Sequence, residues 1–226
     1  MKRILTSIIA ISIAIVTSAQ WSPAGKEIKS PWAEEVNPGN VLPEYPRPQM
    51  VRQAWSNLNG LWNYAITSVE ADDFTPEGQI LVPFAVESSL SGVGRRITKE
   101  NSLWYERTFV IPSKWKGKNI LLHFGGVDWK SEVFVNGQFV GEHKGGYDPF
   151  TYDITPYIKK SGKQTITVKV FDASDNSMQP RGKQCIVNTG IWYTPVSGIW
   201  QTVWIEPVGD TYIDDYYPIS DLQKSQ

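Results

Sequence analysis

Apolar and polar residues alternate with period two over most of the chain between positions 58 and 206, the signature of strands that bury one face. Residues 61–66 (LWNYAI) put Trp62, Tyr64 and Ile66 on one side. Residues 103–111 do the same with Leu103, Tyr105, Phe109 and Ile111, and residues 164–171 (QTITVKVF) bury Ile166, Val168 and Val170 while turning out Thr165, Thr167 and Lys169. A short apolar run at 80–84 is ended, or held at a sheet edge, by Pro83, which has no N–H to give to a ladder. Further strands are predicted at 119–124, at 150–154 (Phe150, Tyr152, Ile154) and at 199–206. Together with a hairpin this makes about nine short strands, with turn residues between them and almost no helical period. The pattern predicts an all-β, antiparallel jelly-roll β-sandwich. Alternating βα units are absent, which excludes a doubly wound or (β/α) barrel fold.

The hairpin is the sharpest local signal. Asn136-Gly137 lies between the arms 132–135 and 138–141, and both residue types accept the positive φ angles of a type I′ turn. Val133 and Val135 share one face and Phe134 takes the other. Glycine pairs flank the hairpin, Gly125-Gly126 and Gly145-Gly146, each followed within four residues by an aromatic (Trp129, Tyr147). Such aromatics either close the sandwich core or present flat faces to a sugar. Thr155-Pro156 reads as a cap with Pro at the first helical position, predicting one or two helical turns ended at Gly162.

Segments outside the periodic region differ in kind. Lys2-Arg3, an apolar run over 4–16 and Thr17-Ser18-Ala19 read as a secretory signal cleaved after Ala19, and the run is short for a membrane span. Residues 21–53 hold six prolines, which predicts an extended segment draped on the body with Trp32, Tyr45 and Met50 as anchors. The tail 210–226 carries Tyr212, Ile213, Tyr216, Tyr217 and Ile219 and resembles the opening strand of another domain, cut short. The expected organisation is a signal at 1–19, a proline-rich extended segment packed on the sandwich at 20–54, the jelly roll at 55–208, and the start of a following domain at 209–226.

Composition narrows the partners. The 22 basic and 23 acidic residues give a net charge of −1, and removal of Lys2 and Arg3 leaves 20 against 23, or −3. No basic stripe calls for nucleic acid, and nothing after the signal calls for a membrane. Cys185 is the single cysteine, so no disulfide can form within the chain and packing must hold the core. The signal predicts a periplasmic or secreted protein.

Catalysis finds little to work with. Glycoside hydrolysis needs two facing carboxyl groups. The pairs Glu34-Glu35, Asp72-Asp73 and Asp214-Asp215 are adjacent in sequence, and in extended chain adjacent side chains point apart. His123, between Leu122 and Phe124, reads as a structural strand residue. Neither it nor His143 has a second ligand at metal spacing, and no cofactor or metal is expected. Binding finds more. Residues 178–200 form a predicted long loop carrying Arg181, Lys183, Gln184, Trp192, Tyr193 and Trp200, and long loops on rigid sandwiches are where binding sits. For Arg181 and Lys183 a surface ion pair is the competing assignment.

Several blocks in order carry a resemblance: LNGLWNYAI at 58–66, VPFAVESSLSGV at 82–93, LWYERTFVIPSKWKGKNILLHF at 103–124, GVDWKSEVFVNGQFVGEHKGGYDPFTYDIT at 126–155, PRGKQ at 180–184 and VSGIWQTVWIEPV at 196–208. This set, spanning 32–208, resembles the N-terminal sugar-binding domain of glycoside hydrolase family 2, the family of β-galactosidases, β-glucuronidases and β-mannosidases. The resemblance implies a galactose-binding-like jelly roll that binds carbohydrate and is followed, in the family, by an immunoglobulin-like domain and a TIM barrel. The barrel holds the family's catalytic Glu pair, one Glu preceded by Asn. This chain contains no Asn-Glu dipeptide, so those roles carry over to no residue here. An Asn that reaches the sugar in some β-galactosidases would lie near Asn101, and where they carry an Asp ahead of the Ser-Gly-Ile turn this chain has Trp192. The expected contacts with carbohydrate are Asp128, Arg181, Lys183, Trp192 and Tyr193. A self-standing carbohydrate-binding module and a structural scaffold domain are the two rival expectations.

Overall fold

A computed structural model describes residues 21–221 and 223. The predicted signal at 1–19 lies outside the described residues. In chain order the strands are β1 (Ser56–Asn57), β2 (Gly60–Ser68), β3 (Gly78–Val82), β4 (Asn101–Phe109), β5 (Asn119–Phe124), β6 (Val127–Asp128), β7 (Lys130–Val135), β8 (Gln138–Lys144), β9 (Phe150–Asp153), β10 (Gln164–Phe171), β11 (Gly198–Ile199) and β12 (Val203–Val208). One sheet has the order β3-β2-β4-β10-β7-β8 and the other β1-β12-β5-β9, while β11 and β6 form a small separate ribbon. All the strand pairs are antiparallel. The helical content of the described residues is confined to single 3-10 turns.

The core forms where the inward faces of the two sheets meet. Trp62, Leu103, Tyr105, Val133, Val135, Ile166, Val168 and Val170 come from the larger sheet, and Ile120, Leu122, Phe124, Val203 and Ile205 from the smaller one. Alternation made this legible: β10 is buried at every second residue from Gln164 onward. Trp62 meets Tyr105 edge to face, with ring centroids 6.4 Å apart, and Phe124 stacks on Phe150 at 4.9 Å. Aromatic pairs of this kind add to what their buried area alone contributes. The hairpin turn has φ of 52° at Asn136 and 79° at Gly137, as a type I′ turn needs. Its arms carry a bulge, because Phe134 pairs with Phe139 while Val133 pairs with Gly141.

Three expectations are corrected. The strand over 199–206 is two strands, broken at 200–202. There the chain bonds instead to the glycine pair: Trp200 N–H to Gly126 O at 3.2 Å and Gly125 N–H to Thr202 O at 2.9 Å. The turn at Thr155 is a single 3-10 turn, Thr155–Tyr157, ended at Ile158 rather than Gly162. Its cap position is Ile154, because the Thr155 hydroxyl is spent on Ile120 N–H at 2.8 Å and on Asp153. Trp32 is 68% exposed and anchors nothing; Ala33 is the buried residue of that turn.

Residues 45–52 are fastened instead to Glu206, which is fully buried on β12. Its carboxylate accepts from Tyr45 Oη at 2.7 Å and pairs with Arg47 and Arg52, and His123 Nε2 lies 3.0 Å away. His123 stacks on Trp204 at 4.6 Å and bonds Thr151 through Nδ1, so it is a structural residue of the strand. Residues 209–221 pair with no strand among the described residues. They lie beside the same segment, where Arg52 donates to Ile213 O and Tyr216 Oη to Gln49 O.

Candidate functional site at one end of the sandwich

Strand β10 ends at Phe171, opposite Lys130, and the chain leaves the sheet for the long connection 172–197. Asp172, 1% exposed, ties the two ends of this loop together. Its Oδ1 accepts from Ser174 N–H at 2.7 Å and Gln179 Nε2 at 2.6 Å, and its Oδ2 accepts from Ser197 Oγ at 2.6 Å. Ser197 N–H in turn donates to Glu87 Oε2 at 3.0 Å. The tip folds back on itself through Tyr193 N–H to Lys183 O and Cys185 N–H to Tyr193 O, both 2.9 Å. Arg96 clasps it from outside, donating to Ile186 O and to Asn188 Oδ1.

Gln184 fixes the tip to the body. Its Oε1 accepts from Val196 N–H at 2.6 Å, while its Nε2 reaches Asp128 Oδ2 at 3.2 Å and Tyr147 Oη at 3.4 Å. Asp128 ends β6 opposite Gly198 and is 2% exposed. Its other carboxylate oxygen has no partner among the described residues. Any Cβ at position 146 would run into this carboxyl group, so Gly146 is required by close approach rather than by its φ. Burial, reinforced by the nearby Asp172 charge and opposed by Gln184, pushes Asp128 up to about 7. Burial likewise pushes Glu87 up to about 7 against the bonds from Ser197. The Asp172 charge raises both, so burial and this one neighbour act together on Asp128 and Glu87 at the loop base.

The structure distributes the five sequence-predicted residues unequally. Arg181 and Trp192 come together, with the guanidinium 5.8 Å over the indole ring. Arg181 also donates to Gln184 O at 2.8 Å, which links it through Gln184 to Asp128. Asp128 itself lies beneath the surface. Trp192 is 40% and Tyr193 64% exposed, and the Lys183 side chain is exposed. Among the described residues neither Arg181 nor Lys183 has an ion-pair partner. Asn101 is committed to a turn, accepting from Thr98 N–H and Thr98 Oγ1 at 3.0 Å.

The sequence placed Gln184 on the loop and Tyr147 behind a glycine pair without counting either among the expected contacts, and it did not single out Asp172 or Glu87. Tyr147 is half exposed and follows Gly145-Gly146, which was its one available signal. Asp172 and Glu87 have none, because an isolated acid looks the same in sequence whether buried or solvated. The geometry offers a stacked guanidinium–indole pair, two further phenol rings and several N–H and O–H donors on a braced loop. It offers no metal cage: among the described residues, no group of three His, Cys, Asp or Glu side chains is arranged to hold an ion.

Fold and loop end together are those of a β-sandwich binding module. The family model described as the sugar binding domain of glycosyl hydrolases family 2 matches residues 79–205, and the chain belongs to that family. It is 40% identical over 124 residues to a β-galactosidase of Thermoanaerobacter pseudethanolicus, a stretch that covers 54% of this chain and 16% of that protein. It is 28% identical over 123 residues to a β-glucuronidase of Bacteroides fragilis, covering 54% and 17%. Across these and similar curated relatives the matched stretch spans 11% to 24% of their length. Among solved structures, the β-glucuronidase of Ruminococcus gnavus superposes with a TM-score of 0.55 at 23% identity, covering 74% of this chain and 31% of that one, a likeness of fold.

Proposed function

We propose that this chain is the non-catalytic, sugar-binding part of an exported family 2 glycoside hydrolase that acts on O-glycosyl bonds, with the catalytic barrel supplied by other domains of the same enzyme. The membership in the family supports the first half of this reading. The small share of each relative that the chain matches, and relatives named β-galactosidase and β-glucuronidase, support the second. The charged and apolar N-terminal stretch supports export to the periplasm or the exterior. The observation that carries the reading is the stacked Arg181–Trp192 pair at the exposed tip of a loop braced by Gln184 and Asp172. Aromatic faces of this kind stack on sugar C–H groups, and Arg181, Lys183, Tyr147 and Tyr193 supply donors for hydroxyls. Asp128 acts from below, by fixing Gln184.

A second reading, a module that holds an oligosaccharide without any barrel, is favoured by the exposure of Trp192 and Tyr193. Both readings meet in one experiment. The chain is titrated with a panel of galactosides, glucuronides and mannosides and assayed on their chromogenic derivatives. Saturable binding weakened about tenfold by Trp192→Ala, a loss of roughly 1.4 kcal/mol, with no turnover, is the expected outcome. Turnover by this chain would overturn the non-catalytic assignment. Binding untouched by Trp192→Ala would remove the loop tip from the site and leave the module as a scaffold for neighbouring domains.

A further inference from the structure

The opposite end of the sandwich carries a second concentration of chemistry. Gln164, where β10 begins, pairs with Phe109, where β4 ends, so this pole lies a full strand length from Asp128. Two connections close it, residues 110–118 and residues 154–163, bound to each other's strands through Ile154 N–H to Ile120 O and Ile120 N–H to Thr155 Oγ1. Between them runs a cleft of about 770 Å³. Its wall and floor are apolar, built from Val110, Ile111, Trp115, Ile120 and Ile158. Its rim is cationic: Lys116, Lys118, Lys159, Lys160 and Lys163 line it, with Lys114 on the same turn. All six are exposed.

The charge here is unbalanced. Neither 110–118 nor 154–163 contains an Asp or Glu, although the chain as a whole is slightly acidic. The nearest acid in sequence, Asp153, is bonded to Thr155. Among the described residues none of the six lysines stands in an ion pair, whereas Lys130 is paired to two glutamates. Six like charges at one pole repel one another and destabilise the fold slightly. A counter-charge supplied from outside relieves that repulsion. In the floor, Trp115 is buried, and its indole N–H has no partner among the described residues.

We propose that this cleft is a second glycan site, selective for acidic polysaccharide: a segment bearing uronate or sulfate groups, whose anions meet the lysine rim and whose ring C–H faces cover the apolar floor. The cleft volume lies within the range of small-ligand sites, about 300–1,000 Å³, and admits a few sugar rings. Base stacking on nucleic acid needs exposed aromatic faces, and here the aromatic is 3% exposed. Insertion into a lipid surface needs several apolar groups that protrude beyond the cations; here Trp115 and Ile120 are buried, Ile111 and Ile158 are partly covered, and of the five only Val110 is exposed. The site is independent of the loop tip and of its reading.

The test is titration of the full chain with a defined tetrasaccharide of galacturonate and a heparin tetrasaccharide, against a neutral galactan fragment, at low and moderate salt. Saturable binding of at least one acidic fragment is expected, with the neutral one inert at this pole and affinity falling several-fold as salt is raised past the point where the Debye length is about 8 Å. Lys116→Gln/Lys160→Gln should weaken it about fivefold or more, while Lys26→Gln/Lys29→Gln, which removes the same charge from the N-terminal segment, should not. Thermal melts confirm that both double variants remain folded. No binding of either acidic fragment at low salt overturns the proposal, as does equal weakening by the two double variants. Tighter binding of duplex DNA or of anionic vesicles than of both tetrasaccharides also overturns it. Loss of neutral-sugar binding in Trp192→Ala reports only on the other end.

Discussion

Asp128 shows how one residue links stability to the candidate site. Its carboxyl group is held up at about 7, first by burial and then by Asp172, and Glu87 is held up likewise by burial. A raised carboxyl pKa means that the folded chain binds more protons than the unfolded one between the ordinary carboxylate range and about 7. Stability from these groups is therefore largest on the acid side of that window and falls as pH rises toward 7, remaining low above it. Asp128→Asn should raise the melting temperature at pH 8 and flatten its fall between pH 5 and 8, by a free energy of a few kcal/mol at most. A Tm series across that range in wild type and variant checks this; a wild type that gains stability steadily from pH 5 to 8, with the variant parallel to it, would sink the assignment. Trp115 and Trp192 make the complementary point. Both are tryptophans beside turn residues, yet one is buried in a floor and the other half open on a platform. Sequence neighbours do not distinguish them, because burial is set by what the opposite sheet brings.

At the scale of elements, the β6–β11 ribbon is the piece that aims the loop. Gly198 has φ of 85°, and a Cβ there would collide with the Tyr105 hydroxyl, which accepts from Ile199 N–H at 3.2 Å. Gly198→Ala meets both penalties, an unfavourable φ and a collision in a packed core. It should cost about 2–4 kcal/mol and displace Ser197, loosening the Asp172 anchor of the loop. Urea denaturation gives the first number, and faster proteolysis within 178–193 reports the second. A variant with unchanged stability and an intact loop would mean that the ribbon yields without strain. The hairpin at Asn136-Gly137 is the contrasting case. Its turn type follows from two adjacent residues, so the turn was legible; the bulge at Val133/Phe134 was not, and the structure adds a bond from the turn to β10, where Thr165 O accepts from Asn136 N–H at 2.8 Å.

At the scale of the whole molecule, Glu206 is the buried charge that fastens residues 45–52 of the proline-rich N-terminal segment to the sandwich, while Asn57 and Asn59 hold Val41 and Leu42. Burial raises its pKa, but the bonds from His123 and Tyr45 together with the Arg47 charge outweigh this and leave it low. His123 is lowered by burial despite Glu206. Both shifts act in the same direction: the stability they confer is present above the ordinary values of the two groups and is lost as pH falls, the His123 part first and the Glu206 part through the carboxylate range. Glu206→Gln strands Arg47 and Arg52 beside a neutral group. It should cost about 2–4 kcal/mol and raise amide exchange over 45–52 while leaving the core strands protected. Unchanged exchange there would show that the segment is held by other contacts.

What the sequence determined by itself was whatever rests on near neighbours. The two-residue period marks each strand and its buried face, because a pleated chain alternates sides whatever lies across from it. The Asn-Gly turn fixes one hairpin, Pro83 ends an edge strand, and the ordered motifs carry the family. What only the tertiary structure decided was every feature made by residues far apart along the chain. Packing of loops on the closed sandwich put Gln184 on Asp128 and Tyr45, Arg47 and Arg52 on Glu206, and bonds to the glycine pair split the run 199–206. The same packing also gathered lysines from 114–118 and from 159–163 around one cleft. Each of those lysines alone reads as an ordinary solvated charge. Their meaning lies in the absence of any acid between them once the sheets have closed, and electrostatic fields sum over space rather than over sequence.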